Sequence, residues 1–118
     1  ENTKYASVVV RSIKSGMNNE FTQETRELFR WNYECFVCGK NNQDALHHIL
    51  GRESNSPLNA CPIHNFSCHL ENSGQLNTDP TKGRLLRKTR QFLVDNGYQL
   101  TQKDLKFIEK NDRLYNTY

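Results

Sequence analysis

Apolar and polar positions along the chain fall into stretches of different character, and the most regular of them are helical. From about Thr22 to Tyr33, the side chains of Leu28, Phe29, Trp31 and Tyr33 follow an acidic first turn at Glu24, with Thr22 in the capping position, so a helix is expected. Near the other end, Leu85, Leu86, Phe92 and Leu93 form one apolar face of a helix predicted from about Thr81 to Asn96 and stopped by Gly97. A second C-terminal helix starts at the capping signal Thr101-Gln-Lys-Asp104, and Leu105, Phe107, Ile108 and Leu114 give it a buried side.

The middle reads differently. Short apolar runs predict strands at Ala45–Leu50 and Leu58–Ile63, the second able to carry Pro62 if it lies on an edge. The loop Gly51–Pro57 separates them, and Cys68 onward suits the first turn of a helix ending near Gly74. Residues 1–20 read as an N-terminal extension in which Val8–Val10 can form a short strand. The order of elements predicts an α+β domain over 21–118, with its core at 35–74 and a helical part at 81–115.

Composition narrows the classes. At 35% apolar and 25% charged residues, with a mean hydropathy of −0.87, the chain is short of core-forming side chains. No apolar stretch approaches the roughly 20 residues that span a bilayer, so no membrane association is expected. The chain shows no secretory leader and begins with Glu1 rather than Met, as a processed or trimmed product would. The net charge of +3 is uneven along the chain. Lys82, Arg84, Arg87, Lys88 and Arg90 follow one another with no acid between them, which gives either a phosphate-contacting surface or an ordinary solvated helix face.

Cysteine and histidine positions carry the most chemistry. Cys35, Cys38, Cys61 and Cys68, with His47, His48, His64 and His69, all fall between positions 35 and 69. Two residues separate Cys35 from Cys38, the spacing at which a Cys-Gly knuckle presents two thiolates to one zinc ion; a pair of disulfides is the alternative. His47-His48 on a strand would point to opposite faces, so one can ligate a metal while its neighbour acts as a base from another direction.

The sequence Cys35-x-x-Cys38, then His47-His48-Ile49, then an Asn-containing loop, then Cys68-His69-Leu70-Glu71-Asn72 resembles the HNH family of nucleases, whose core is the ββα-metal fold. The resemblance covers Cys35 to about Asn72. It implies a small ββα-metal core around a structural zinc, flanked by an N-terminal helix and two C-terminal helices. It implies a metal-dependent endonuclease that hydrolyses DNA phosphodiester bonds, with catalytic residues His48, Asn59, His47 and His69. His47 and His69 would hold the catalytic ion and His48 would deprotonate the attacking water. Asn59 would orient His48, with Asn55 as the competing candidate, and Asn72 would reach the same ion or its water shell.

Mg²⁺ or Mn²⁺ would suit such an open site, and two nitrogen ligands also admit Ni²⁺ or Zn²⁺. Zinc ligands by the same resemblance are Cys35, Cys38, His64 and Cys68, with Cys61 as the alternative to His64. Counting from Asn59 favours His64 and counting thiolates favours Cys61. Arg52 would contact the phosphate or anchor its loop. Lys82, Arg84, Arg87, Lys88 and Arg90 become contacts to the DNA backbone. The implied partner is double-stranded DNA, bound by a monomer or homodimer without a small-molecule cofactor. Small proteins of this family are frequent in bacteria and bacteriophage, which implies a cytoplasmic setting, including a phage-encoded protein acting in its bacterial host. A non-catalytic zinc-binding nucleic-acid recognition module is the alternative function.

Overall fold

The structure, a computed structural model, describes residues 20–52 and 54–118. The expected strand at Val8–Val10 lies outside them. Among the described residues the architecture is α+β: a two-stranded antiparallel sheet and several helices. Among the described residues no helix is long and apolar enough to cross a membrane.

Helix α1 spans Gln23–Leu28, capped by the Thr22 side chain, which accepts the Thr25 N–H at 3.2 Å. It is half the expected length. Phe29 ends it by dropping into the core, its ring stacked on Phe92 with centroids 5.4 Å apart. Trp31 and Tyr33 then face solvent, 73% and 62% exposed, rather than continuing an apolar stripe. Asn32 bonds the carbonyl of Glu34 through its side chain at 2.7 Å, a local alternative to the helical ladder.

Strands β1 (Ala45–His48) and β2 (Ala60–Ile63) pair antiparallel, with His47 opposite Cys61 and His48 opposite Ala60. Both are shorter than the sequence pattern predicts. Beyond His48 the chain turns at Gly51, which takes a positive φ of 85°. Before β2, Pro57–Asn59 wind into a single 3-10 turn whose cap is the Ser56 hydroxyl, accepting the Leu58 N–H at 3.1 Å. Pro62 is accommodated because a two-stranded sheet has no interior strand, and its carbonyl accepts the Phe36 N–H at 2.9 Å. That bond ties the Cys35–Cys38 turn to the hairpin.

The helix expected from Cys68 to near Gly74 is replaced by two segments. Asn65–Leu70 forms a wide π-type turn, with i+5 bonds from His69 N to His64 O (3.1 Å) and from Glu71 N to Phe66 O (3.0 Å). Helix α2, Ser73–Leu76, follows after a break. Helix α3 runs Asp79–Asp95, starting earlier than Thr81 because Pro80 sits in its first turn, and it ends before Gly97 at φ 88°. Helix α4, Gln102–Lys110, carries the complete capping box of Thr101 and Asp104. The helix expected to continue through Leu114 breaks at Asn111, whose side chain bonds the Phe107 carbonyl at 2.9 Å, and α5 (Asp112–Thr117) begins there. The C-terminal part therefore has three helices rather than two. Leu105, expected on the buried side of α4, is 46% exposed.

Leu85, Leu86, Leu93, Phe107 and Tyr115 share one buried cluster with Phe36, Leu58 and Ile63. The Thr89 hydroxyl donates to the Ala60 carbonyl at 2.8 Å, joining α3 to β2. The hairpin thus lies against the long helix α3.

Candidate metal centre

The turn at Cys35–Cys38 is a small knuckle. Its ends pair through an isolated antiparallel bridge between Glu34 and Asn41, the Cys35 N–H donates to the Lys40 carbonyl at 2.9 Å, and Gly39 turns the chain at φ 78°. From the other side, β2 and the π-type turn deliver His64 and Cys68. The ligand atoms of Cys35, Cys38, His64 and Cys68 all lie within 4.8 Å of one another. Cys38 Sγ is 3.4 Å and Cys68 Sγ is 3.7 Å from His64 Nδ1. These values bracket the ~3.6 Å sulfur-to-nitrogen edge expected of a tetrahedral zinc shell.

Donor chemistry fits a cation as well as the spacing does. His64 Nε2 donates to the Asn41 carbonyl at 2.8 Å, which fixes the ring and directs Nδ1 at the three sulfurs. Burial works against ionising Cys35, but N–H groups at Cys38, His64 and Val37, with the Cys68 thiol, outweigh it and bring the thiol down to about 7. Burial pushes Cys68 up to about 11, with neighbouring Cys35 and Cys38 adding to the effect. One thiolate is therefore favoured and the next is opposed, a set of donors that calls for a positive ion. This Cys3His cluster can bind a metal such as zinc.

Cys61, the competing fourth ligand, is not in the cluster. It is fully buried in β2, its thiol pushed far up by burial and then by Cys35, with its sulfur 3.7 Å from the Pro62 carbonyl oxygen. It serves as a small core residue. The reason is positional: Cys61 is inside the strand, opposite His47, whereas His64 lies just past the strand end and can swing towards the knuckle.

A second constellation lies beside the hairpin. His47 and His69 come together with ring centroids 4.5 Å apart and planes tilted by 51°. Two imidazoles bound to one ion at roughly a right angle have about this separation, given metal–nitrogen bonds near 2.1 Å. Burial, then the charges of His69 and His48, lower the His47 pKa to about 4, so it is a neutral ring with a lone pair to offer at neutral pH. His69 Nδ1 lies 3.3 Å from Asn65 Oδ1, one turn earlier, which directs Nε2 away from the backbone. Among the described residues, no third Cys, His, Asp or Glu joins this pair in a metal-binding group.

His48 occupies different surroundings. Its ring stacks on Phe21 at 3.9 Å, nearly parallel, and its Nε2 lies 3.4 Å from Asn55 Oδ1. Asn59 is fully buried and bonds the loop backbone, donating to Gly51 O (3.0 Å) and Ser54 O (2.9 Å) while accepting the Leu50 N–H (2.8 Å). Asn59 thus fixes the loop after β1, and Asn55 is the asparagine in contact with the His48 ring. The loop-anchoring role considered for Arg52 falls to Asn59; Arg52 itself is exposed in the turn. Asn72 sits outside the turn that carries His69, at the start of α2, so the single continuous helix expected to align the two is absent. Phe21 and Asn65 were not foreseen. An apolar residue just before a helix cap and an Asn four positions before a helical His were the available signals.

Four of the five cations of α3 divide between two directions. Arg84 donates to the Phe36 carbonyl at 3.4 Å, and Lys88 pairs with Glu34 at 3.1 Å while lying over the Phe36 ring. Arg87 donates to the carbonyls of Leu114, Tyr115 and Tyr118, and Arg90 stacks over Tyr115. Lys82 has no intramolecular partner among the described residues. The uninterrupted run in sequence is therefore not one uniform surface, and much of it links α3 to its neighbours.

No protein-family model, curated protein or solved structure significantly matches the chain. Its functional reading rests on its own residues.

Proposed function

We propose that this protein is a metal-dependent endonuclease of the HNH class that hydrolyses DNA phosphodiester bonds, with zinc in the Cys3His cluster and a second divalent ion between His47 and His69. The observation that carries this reading is the approach of the His47 and His69 rings to 4.5 Å, with a histidine following His47 directly in the chain. His47 and His69 would hold Mg²⁺ or Mn²⁺ there, and the ion would supply Lewis-acid stabilisation of charge on a scissile phosphate. Nitrogen donors also admit Ni²⁺ or Zn²⁺.

The chain's own residues divide the rest. His48 accepts the proton of the attacking water. Its Nε2 lies 3.4 Å from Asn55 Oδ1, a contact that helps orient the ring for this role. Phe21 holds the imidazole plane by stacking. Asn59 acts at one remove, holding the loop on which Asn55 stands. Arg52 and Lys82 are the cations best able to meet the DNA backbone, since the described residues give them no intramolecular partner.

Incubation with supercoiled plasmid and Mg²⁺ or Mn²⁺ tests this reading. Nicking that disappears with EDTA and with His48→Ala is the expected result. No nicking, or nicking that survives both, overturns it. Zinc-dependent DNA binding without cleavage would instead support a non-catalytic recognition module.

A further inference from the structure

A cleft of about 710 Å³ opens between the first turn of α1, the Ser54–Pro57 loop and the start of α4. Its volume falls in the range of sites that take a small organic group, about 300–1,000 Å³. Two contacts set it beside His48. Asn55, whose Oδ1 lies 3.4 Å from His48 Nε2, lines the cleft. Thr22 lines it as well, and the preceding residue, Phe21, stacks on the same imidazole.

The lining specifies what can enter. Among the described residues that line it, Glu24 and Asp104 stand against one cation, Lys103, a balance that disfavours a phosphate. Asp104 is fixed as an acceptor by the Thr101 N–H and the hydroxyls of Ser56 and Tyr98. Leu28, Pro57 and Tyr98 add apolar and aromatic surface. An uncharged planar ring with hydrogen-bonding edges matches this mixture, and an exocyclic amino group on it would find an acceptor in the exposed Glu24 carboxylate.

We propose that the cleft binds an unpaired, amino-bearing nucleobase of the DNA strand presented to His48. This rests on the nuclease reading above and sharpens its substrate: duplex DNA interrupted by an unpaired nucleotide, because a paired base inside the stack cannot reach such a recess.

Equilibrium binding by fluorescence anisotropy tests the inference, using the full chain carrying His48→Ala, with His69→Asn as a second background. The probes are one duplex in three forms: fully paired, with a single unpaired cytosine, and with a single unpaired thymine. The unpaired cytosine is expected to bind about tenfold tighter than the paired form, the scale of one hydrogen bond to a charged acceptor. Glu24→Gln, at an exposed position, should erase most of the preference for cytosine over thymine. Equal affinities for the three duplexes, or a cytosine preference untouched by Glu24→Gln, would overturn the proposal. Because binding is read without cleavage, absence of nicking by the wild-type protein counts against the nuclease reading alone. Nicking combined with equal affinities counts against the cleft alone.

Discussion

Between Asp79 and Thr117 the chain is ordered by burial. Leu85, Leu86, Leu93, Phe107 and Tyr115 close one apolar cluster, and a capping box starts α4. Between Cys35 and Leu70 the regular structure is slight: two strands of four residues each, a single 3-10 turn and a π-type turn. A lone hairpin of that length is marginal in water, so it depends on what it packs against and what crosslinks it. Here α3 packs against it, and the Cys3His cluster ties the end of β2 to the knuckle. A chain with few apolar residues can economise on core where four ligands converge on an ion, but it then makes that region conditional on the ion.

The largest expected effect follows from that condition. Replacing Cys68 with Ser, or stripping the metal with a chelator, should remove stabilisation on the order of 10 kcal/mol of binding energy from the Cys35–Leu70 region. Amide exchange should rise sharply across β1, β2 and the knuckle, while α3 to α5 keep more of their protection. Uniform loss over the whole chain would show one cooperative unit. No change in exchange would mean that the cluster does not organise its region.

In the helical region the corresponding weak point is a carboxylate. Asp104 is buried yet held ionised: burial opposes its charge, but the Thr101 N–H, then Tyr98 and Ser56, outweigh it and hold the carboxyl below its usual range. Asp104→Asn should cost about 1–3 kcal/mol at neutral pH, since one or more donors lose an anionic acceptor. A depressed folded-state pKa contributes stability that is fully present above the ordinary carboxyl value near 4 and is lost as pH falls through the lower folded value. Denaturant titrations should therefore show the gap between wild type and variant closing only below about pH 4. A gap that is constant with pH would assign the effect to packing.

A smaller effect is expected where α3 meets α5. A Cβ at Gly83 would lie well inside contact distance of the Leu114 carbonyl oxygen, which is backbone and can move only with its helix. Gly83→Ala would gain about 1 kcal/mol of helix propensity in isolation. Overpacking at about 1–3 kcal/mol should exceed that gain and leave the variant less stable. A stabilised variant would show that α5 is loosely held.

Legibility in the sequence follows the same division. The caps at Thr22 and Thr101–Asp104 and the stop at Gly97 were readable because each is a local hydrogen-bonding or backbone rule. The break at Asn111 was not, since no Gly or Pro marks it. In the metal region the Cys-x-x-Cys spacing pointed to the knuckle, but the π-type turn depends on chain closure around His64 and Cys68 and has no local signature. Counting from Asn59 points to His64, and the end of β2 at Ile63 gives the physical reason that Cys61 stays in the core. The separation of the basic run was legible in principle: Arg84 and Lys88 are four apart and share one face, while Arg87 and Arg90 are three apart and share another.

Lys88 crosses between the two regions and offers the finest test of how far they depend on each other. Its ammonium lies 3.1 Å from Glu34 and 5.2 Å from the centroid of Phe36, so one α3 side chain touches both the entry to the knuckle and its buried aromatic. Both partners of the ion pair are more than a third exposed, which limits the coupling to about 0.2–1 kcal/mol. A double-mutant cycle with Glu34→Gln and Lys88→Met should return a coupling in that range that shrinks with added salt. The informative comparison is the cycle repeated on metal-free protein. If the knuckle is ordered by its ion, the coupling should vanish with the metal, because Glu34 is no longer held opposite α3. A coupling that persists without metal would mean that contacts with the long helix, rather than the cluster, fix the first turn of the metal region.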